Sequence, residues 1–253
     1  MTKEEIEKEL KGLHYYPVYK HNYAEWFRTV QYNGKTLTPE ERKDFIKVTD
    51  EVIAVNCEGQ HLTINGLELI KGKEDDLSRI ERAIYSVWLF LTVSMADCMV
   101  AAKYYLLADN DYDKRYMRGK MQVLYNEGFK QLYGYEENTK SKSKWYSLLP
   151  YMKFFPEEIN RQYQDMSALL ERHSKQSTWW KDERNCETHL DAEKLYLLRQ
   201  EKLEESKVMM DSLLLFNALM AVQDFLTNAF NCVYNHMVGK VLNGEVVIDD
   251  NIT

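Results

Sequence analysis

Turn-forming residues are scarce in this sequence. Its 253 residues include 10 Gly and 4 Pro, too few for the many tight turns of a β-sandwich or for a glycine-rich doubly wound fold. Cysteine is equally sparse: Cys57, Cys98, Cys186 and Cys232 lie far apart with no C-x-x-C pair. The simplest setting for such a chain is reducing and cytoplasmic. Positive charge is outnumbered, with 33 Lys and Arg against 40 Asp and Glu for a net charge of -7. That balance excludes a protein that coats nucleic acid through bulk charge, which needs a basic surface to displace counterions from phosphates. Met1 to Leu13 mixes Lys and Glu without an apolar core, so no signal peptide is expected.

What the chain has in quantity is apolar and aromatic mass: 45% hydrophobic residues, with 18 Tyr, 11 Met and 5 Trp, enough for a sizeable core. The most apolar run, Ala83 to Ala102, has 16 apolar residues in 20 and contains Asp97. A charge in mid-span is costly in lipid, so the expectation is a helix buried in a bundle, with no membrane association.

Along the chain, Thr29 to Leu37 and His61 to Ile70 each place Asn-Gly between short alternating runs, the pattern of a type I′ hairpin. Between them, Thr38-Pro39-Glu40-Glu41 predicts a helix start with a capping box and Pro at the first helical position. From Glu74 the period becomes helical. Helices are expected over Asp75–Ala108, Tyr112–Tyr133, Trp145–His173 (bent or divided at Pro150 and Pro156), Arg184–Glu205 and Ser206–Val238, the last bounded by Gly239. Tyr135–Lys144 reads as a polar loop. The fold class is therefore mainly α: a bundle of about five helices with a small α+β N-terminal elaboration.

Several familiar chemistries find no footing. Gly34-Lys35-Thr36 lacks the earlier glycine of a phosphate loop. The six His are scattered, and Cys186 with His189 has no second pair to complete a metal site. No G-x-S-x-G elbow marks a serine hydrolase.

The sharpest pattern is Arg184-Asn185-Cys186-Glu187-Thr188-His189. On a helix Asn185 and His189, four apart, share one face, and Arg184 lies about 140° from His189, within reach of a common anion. Such a trio suits cleavage of RNA by its own 2′-hydroxyl. His189 would move protons, Arg184 would stabilise charge on the phosphorane oxygens and Asn185 would position either. Bare R-x4-6-H spacing is expected about 0.7 times by chance in this composition, and about 0.1 times once Asn, Asp or His must follow the Arg; this is the only hit. The pattern resembles the signature of HEPN domains, and its setting, between long helices, resembles the way those bundles display it.

The chain is expected to divide into residues 1–73, an N-terminal α+β elaboration or lid outside the resemblance, 74–239, the HEPN-like bundle, and 240–253, a tail. The resemblance implies a metal-independent endoribonuclease without cofactor, a homodimer bringing two motifs together across a cleft. Its setting would be defence or toxin–antitoxin conflict, with RNA as substrate and an antitoxin or regulatory protein as partner. The alternative is a non-catalytic helical module that binds a nucleotide or protein.

Supporting residues are expected on two other helices. Asp97 shares a stripe with Phe90, Val93, Val100 and Tyr104; it is either a buried acid needing a partner, for which Arg184 is a candidate, or the mark of a water-exposed edge. Asn217, Asp224, Asn228, Asn231 and Asn235 form one polar face of the last helix, which either lines a cleft or dimer seam or is simply its solvent side. Positive charge gathers at Lys140, Lys142 and Lys144 and again at Arg172, His173, Lys175, Lys181 and Arg184, so local positive potential is compatible with the acidic total.

Overall fold

In the computed structural model, which describes residues 38–135, 140–177, 181–189, 191–200 and 205–242, every regular element is a helix: α1 Pro39–Leu69, α2 Asp76–Leu107, α3 Asp111–Leu132, a 3-10 helix Tyr146–Phe154, α4 Glu157–Ser177, α5 Lys181–His189, α6 Ala192–Gln200 and α7 Glu205–Leu242. The mainly α reading holds. The α+β elaboration is not supported: His61–Leu69 is the last part of α1, with Ile70 as its C-cap, rather than a hairpin. The Thr29–Leu37 hairpin and the tail beyond Leu242 lie outside the described residues.

The start of α1 follows its local sequence. The Thr38 side chain accepts from the Glu41 amide at 3.2 Å, and the Glu41 carboxylate accepts from the Thr38 amide at 2.7 Å, so two orphan donors of the first turn are satisfied. Further along, Phe45, Thr49, Val52, Asn56 and Thr63 are buried and, with Gly59 and Gly66, recur at steps of four and three. The result is a seam like that of a coiled coil, laid along α2. Its polar members bond to their own helix: Asn56 Nδ2 donates to Val52 O at 2.8 Å and Thr63 Oγ1 to Gly59 O at 2.7 Å. A Cβ on Gly66 would stand 2.7 Å from the Tyr85 ring. Asn65-Gly66 is therefore a notch for a neighbouring aromatic ring and not a turn, which is why the hairpin pattern misleads there.

Helix α2 is the central element, touched by α1, α3 and α7. By length and composition it could cross a membrane, but here Ile84, Val87, Leu91, Met95 and Tyr105 are buried against its neighbours. Asp75 caps it, accepting from the Ser78 amide at 2.9 Å and the Ser78 hydroxyl at 2.6 Å. The stripe carrying Asp97 is the outer one: Val93, Val100 and Tyr104 are exposed, as is Asp97 itself. Of the two readings of Asp97, the water-exposed edge is the one found, since the inward side of α2 is already filled by larger apolar side chains.

Proline divides the next stretch as expected. Pro150 lies within the 3-10 helix and Pro156 directly precedes α4. The 3-10 helix brings Trp145 into the core, where its ring stacks on Tyr163 at 4.6 Å and meets Phe225 of α7 edge-on at 5.0 Å. Its indole N–H donates to Ser167 Oγ at 2.8 Å, so this buried donor is satisfied. The predicted Arg184–Glu205 helix is instead two short ones. Thr188 Oγ1 bonds back to Arg184 O at 2.9 Å, and Asp191 Oδ1 accepts from the Lys194 amide at 3.3 Å, ending α5 and capping α6. The last helix continues through Gly239 to Leu242.

Candidate functional site

Helix α5 carries the R-x4-H pattern and lies against α3 and α6. The face of α3 beneath it is small and polar: Gly119, Gln122 and Asn126 are buried there at steps of three and four, while Met121, Tyr125, Phe129 and Leu132 enter the core. Small residues let two helix backbones approach, and polar ones give α5 something to bond to.

Arg184 uses that face. Its Nε donates to Asn126 Oδ1 at 3.0 Å and its Nη2 meets Glu127 Oε1 at 3.2 Å. The Arg184 side chain is 17% exposed and that of Glu127 37%, while Asn126 is fully buried. Asn126 is itself held, since the Tyr135 hydroxyl donates to its backbone oxygen. Among the described residues the partners of Arg184 are thus on α3, and Asp97 is not one of them.

Three residues on, Glu187 turns inward and pairs with Arg199 of α6 at 3.6 Å. Its carboxylate lies over Gly119, where a Cβ would come to 2.3 Å from Oε1. Arg199 also donates through Nη1 to the Tyr112 hydroxyl at 2.8 Å and rests over that ring at 5.2 Å. Cys186 is buried. Asn185 is half-buried, and His189, the final residue of α5, is exposed. Asn185 and His189 share a helix side, but no hydrogen bond joins them.

Arg184, Asn185 and His189 therefore come together on one nine-residue helix. Asp224 and Asn228 belong to α7, which lies against α2, α3 and α4. Both are exposed, and Asn228 Nδ2 donates to Gln162 Oε1 of α4 at 3.1 Å. Desolvation raises the carboxyl pKa of Asp97 and of Asp224 above the ordinary aspartate value. Cys186 and His189 do not form a pair, one being buried and the other exposed, and among the described residues no three His, Cys, Asp or Glu converge on one point. Full burial pushes the Cys98 thiol up to about 12, so it holds no appreciable thiolate near neutrality.

The two basic stretches are partly neutralised from within. Lys140 and Lys175 both approach Glu171, at 3.8 and 3.1 Å, and these bonds and charges hold the Glu171 carboxyl below its ordinary pKa. Lys144 Nζ donates to Ser86 Oγ at 3.2 Å.

Sequence reasoning missed Asn126, Glu127, Glu187 and Arg199. The available signal was the Gly119, Gln122, Asn126 spacing on an otherwise apolar helix, which marks a surface made for another helix. Compared with protein-family models, with curated proteins and with solved structures, the chain matches none.

Proposed function

We propose that this chain is a HEPN-like, metal-independent endoribonuclease that works in the cytoplasm as a homodimer, in a defence or toxin–antitoxin role. The observation that carries the reading is the division of labour along α5: a guanidinium anchored through two nitrogens at Arg184, and an exposed imidazole at His189 on the same short helix. Anchoring removes the rotamer freedom of a long side chain before substrate arrives. Among the described residues Nε and Nη2 have partners, and the other N–H groups of the fork are assigned to the phosphate oxygens.

In the proposed reaction the 2′-hydroxyl of one nucleotide attacks the adjacent phosphorus, the bond to the 5′-oxygen of the next nucleotide breaks, and a 2′,3′-cyclic phosphate and a 5′-hydroxyl remain. His189 takes the proton from the attacking hydroxyl or gives one to the leaving oxygen. The second copy's motif supplies the complementary transfer across the dimer cleft. Arg184 stabilises the extra charge on the phosphorane oxygens. Asn185, on the His189 side of the helix, orients the phosphate or the imidazole. The net charge of -7 suits an enzyme that grips one phosphodiester and not a long RNA.

Wild-type protein and His189→Ala, incubated with structured RNA in EDTA, test this directly. Cleavage by the wild type alone, leaving 2′,3′-cyclic phosphate ends, is the expected result; equal cleavage by both, or by neither when both are folded, sinks it. The second reading is a binding module without catalysis, favoured by the Arg184–Glu127 pair, which already balances the guanidinium charge with a carboxylate. On that reading RNA or a nucleotide binds and is released intact.

A further inference from the structure

Arg184 meets two different acceptors from consecutive residues of one helix. Asn126 is fully buried and offers a neutral amide oxygen to Nε; Glu127 stands at the rim and offers a carboxylate to Nη2. Held at both points, the guanidinium plane has a defined tilt, because its five donors form a rigid fork. The backbone that bears the acceptors is fixed in turn: the Tyr135 hydroxyl donates to Asn126 O, Phe129 and Leu132 of the same helix are buried in the core, and a Cβ at Gly128 would stand 2.6 Å from Leu215 of α7. Glu187 separately ties α5 to Arg199 of α6 at 3.6 Å.

We propose that Asn126 and Glu127 are positioning residues for Arg184: they hold its guanidinium at Nε and Nη2, and so fix the orientation in which it meets the scissile phosphodiester. The inference rests on the ribonuclease reading and names two residues that the R-x4-H pattern does not contain. Each contributes differently. Asn126 sets depth and angle, as a buried neutral acceptor that leaves the cation's charge intact. Glu127 sets the tilt of the planar guanidinium about the Cδ–Nε bond and lowers the net charge presented to RNA, so that substrate is not held so tightly at rest that binding energy is spent before the transition state.

Substitutions at Glu127 carry the test, because its side chain is at the rim and its variants are expected to fold; a thermal melt of each verifies this. Glu127→Gln keeps an acceptor oxygen and removes the charge, whereas Glu127→Ala removes both. Measured on RNA cleavage below the melting temperature, Glu127→Ala is expected to lose about tenfold in kcat with KM little changed, the mark of an interaction realised in the transition state. Glu127→Gln is expected to recover to within about threefold of wild-type kcat, with a lower KM that is more sensitive to salt, because the phosphate then meets an uncompensated cation. Asn126→Asp, which keeps the acceptor, is expected to retain more kcat than Asn126→Ala. A role confined to fastening α5 would lower the melting temperature of the Glu127→Ala variant and leave its kcat intact, and that result overturns the inference. So does equal loss of kcat in the Gln and Ala variants. A wild-type protein that cleaves no RNA defeats the ribonuclease reading itself, and so is distinguishable from an active enzyme whose Glu127→Ala variant keeps full kcat.

Discussion

Helix α5 has two differently used sides. On one, Arg184 and Glu187 reach into the molecule and form ion pairs with α3 and α6; on the other, Asn185, Thr188 and His189 are partly or fully open to solvent. A single six-residue motif thus contains both inward ion-pairing groups and solvent-facing ones. The comparison also separates the two inward pairs. Glu187 is nearly buried, and its side chain is 7% exposed, so it depends on Arg199 to offset the cost of leaving water. Arg184, with its side chain 17% exposed, is likewise offset by Glu127 and by the Asn126 amide oxygen.

The sharpest way to break this comparison is to remove one residue from each side. His189→Ala is expected to abolish RNA cleavage, a loss of at least about a hundredfold for a general acid–base, with the thermal melt unchanged. Arg184→Ala is expected to lose both cleavage and stability, because the buried Asn126 amide oxygen and the Glu127 carboxylate each lose a partner, Glu127 keeping Lys130 at 3.6 Å. If His189→Ala lowers the melting temperature as much as Arg184→Ala does, the outward side is structural too.

Next in size is Gly119→Ala. The added methyl would fall 2.3 Å from Glu187 Oε1, so either α5 lifts from α3 or the Glu187–Arg199 pair opens. A loss of about 2 kcal/mol is expected, read by urea unfolding, and cleavage should fall with it because Arg184 and His189 ride on the same helix. Gly66→Ala sharpens the contrast from a place with no chemistry. Its methyl would meet the Tyr85 ring at 2.7 Å, costing about 1–2 kcal/mol after the helix-propensity gain of alanine, with cleavage unaffected. Thr38→Ala should cost about 1 kcal/mol, the usual value of an N-cap, by the same measurement.

A pH titration gives the smallest effect. Hydrogen bonds from the Ser78 side chain and amide hold the Asp75 carboxyl below its ordinary value. A depressed carboxylate stabilises the fold above the unfolded pKa, near 3.9, and that contribution fades as the pH falls through the lower folded value. Asp75→Asn should therefore remove part of the acid dependence of unfolding below about pH 4, and an unchanged acid limb would show that the cap contributes nothing.

Much of this fold is legible residue by residue. The capping box at Thr38, the Asp75 cap, the division at Pro156 and the helical periods of α2 and α3 all rest on interactions within a few residues along the chain. What misled was also local: Asn65-Gly66 carries a turn pattern, yet the space beneath Tyr85 decides its conformation. Asp97 shows why periodicity alone does not orient a helix. A stripe of Phe90, Val93, Val100 and Tyr104 looks buried in sequence, but α2 has apolar residues on nearly every side, and only the positions of α1, α3 and α7 decide which side faces water.

The candidate site divides in the same way. Sequence alone determined that Arg184, Asn185 and His189 lie on one helix and in what order, because helical geometry over five residues allows little else. Only the tertiary structure decided that Arg184 is anchored by Asn126 and Glu127, 58 residues away for the first, and that Glu187 spans to Arg199. Those partners are chosen by how α3, α5 and α6 meet, and contacts between helices depend on the shapes of both surfaces at once, which no short stretch of chain encodes.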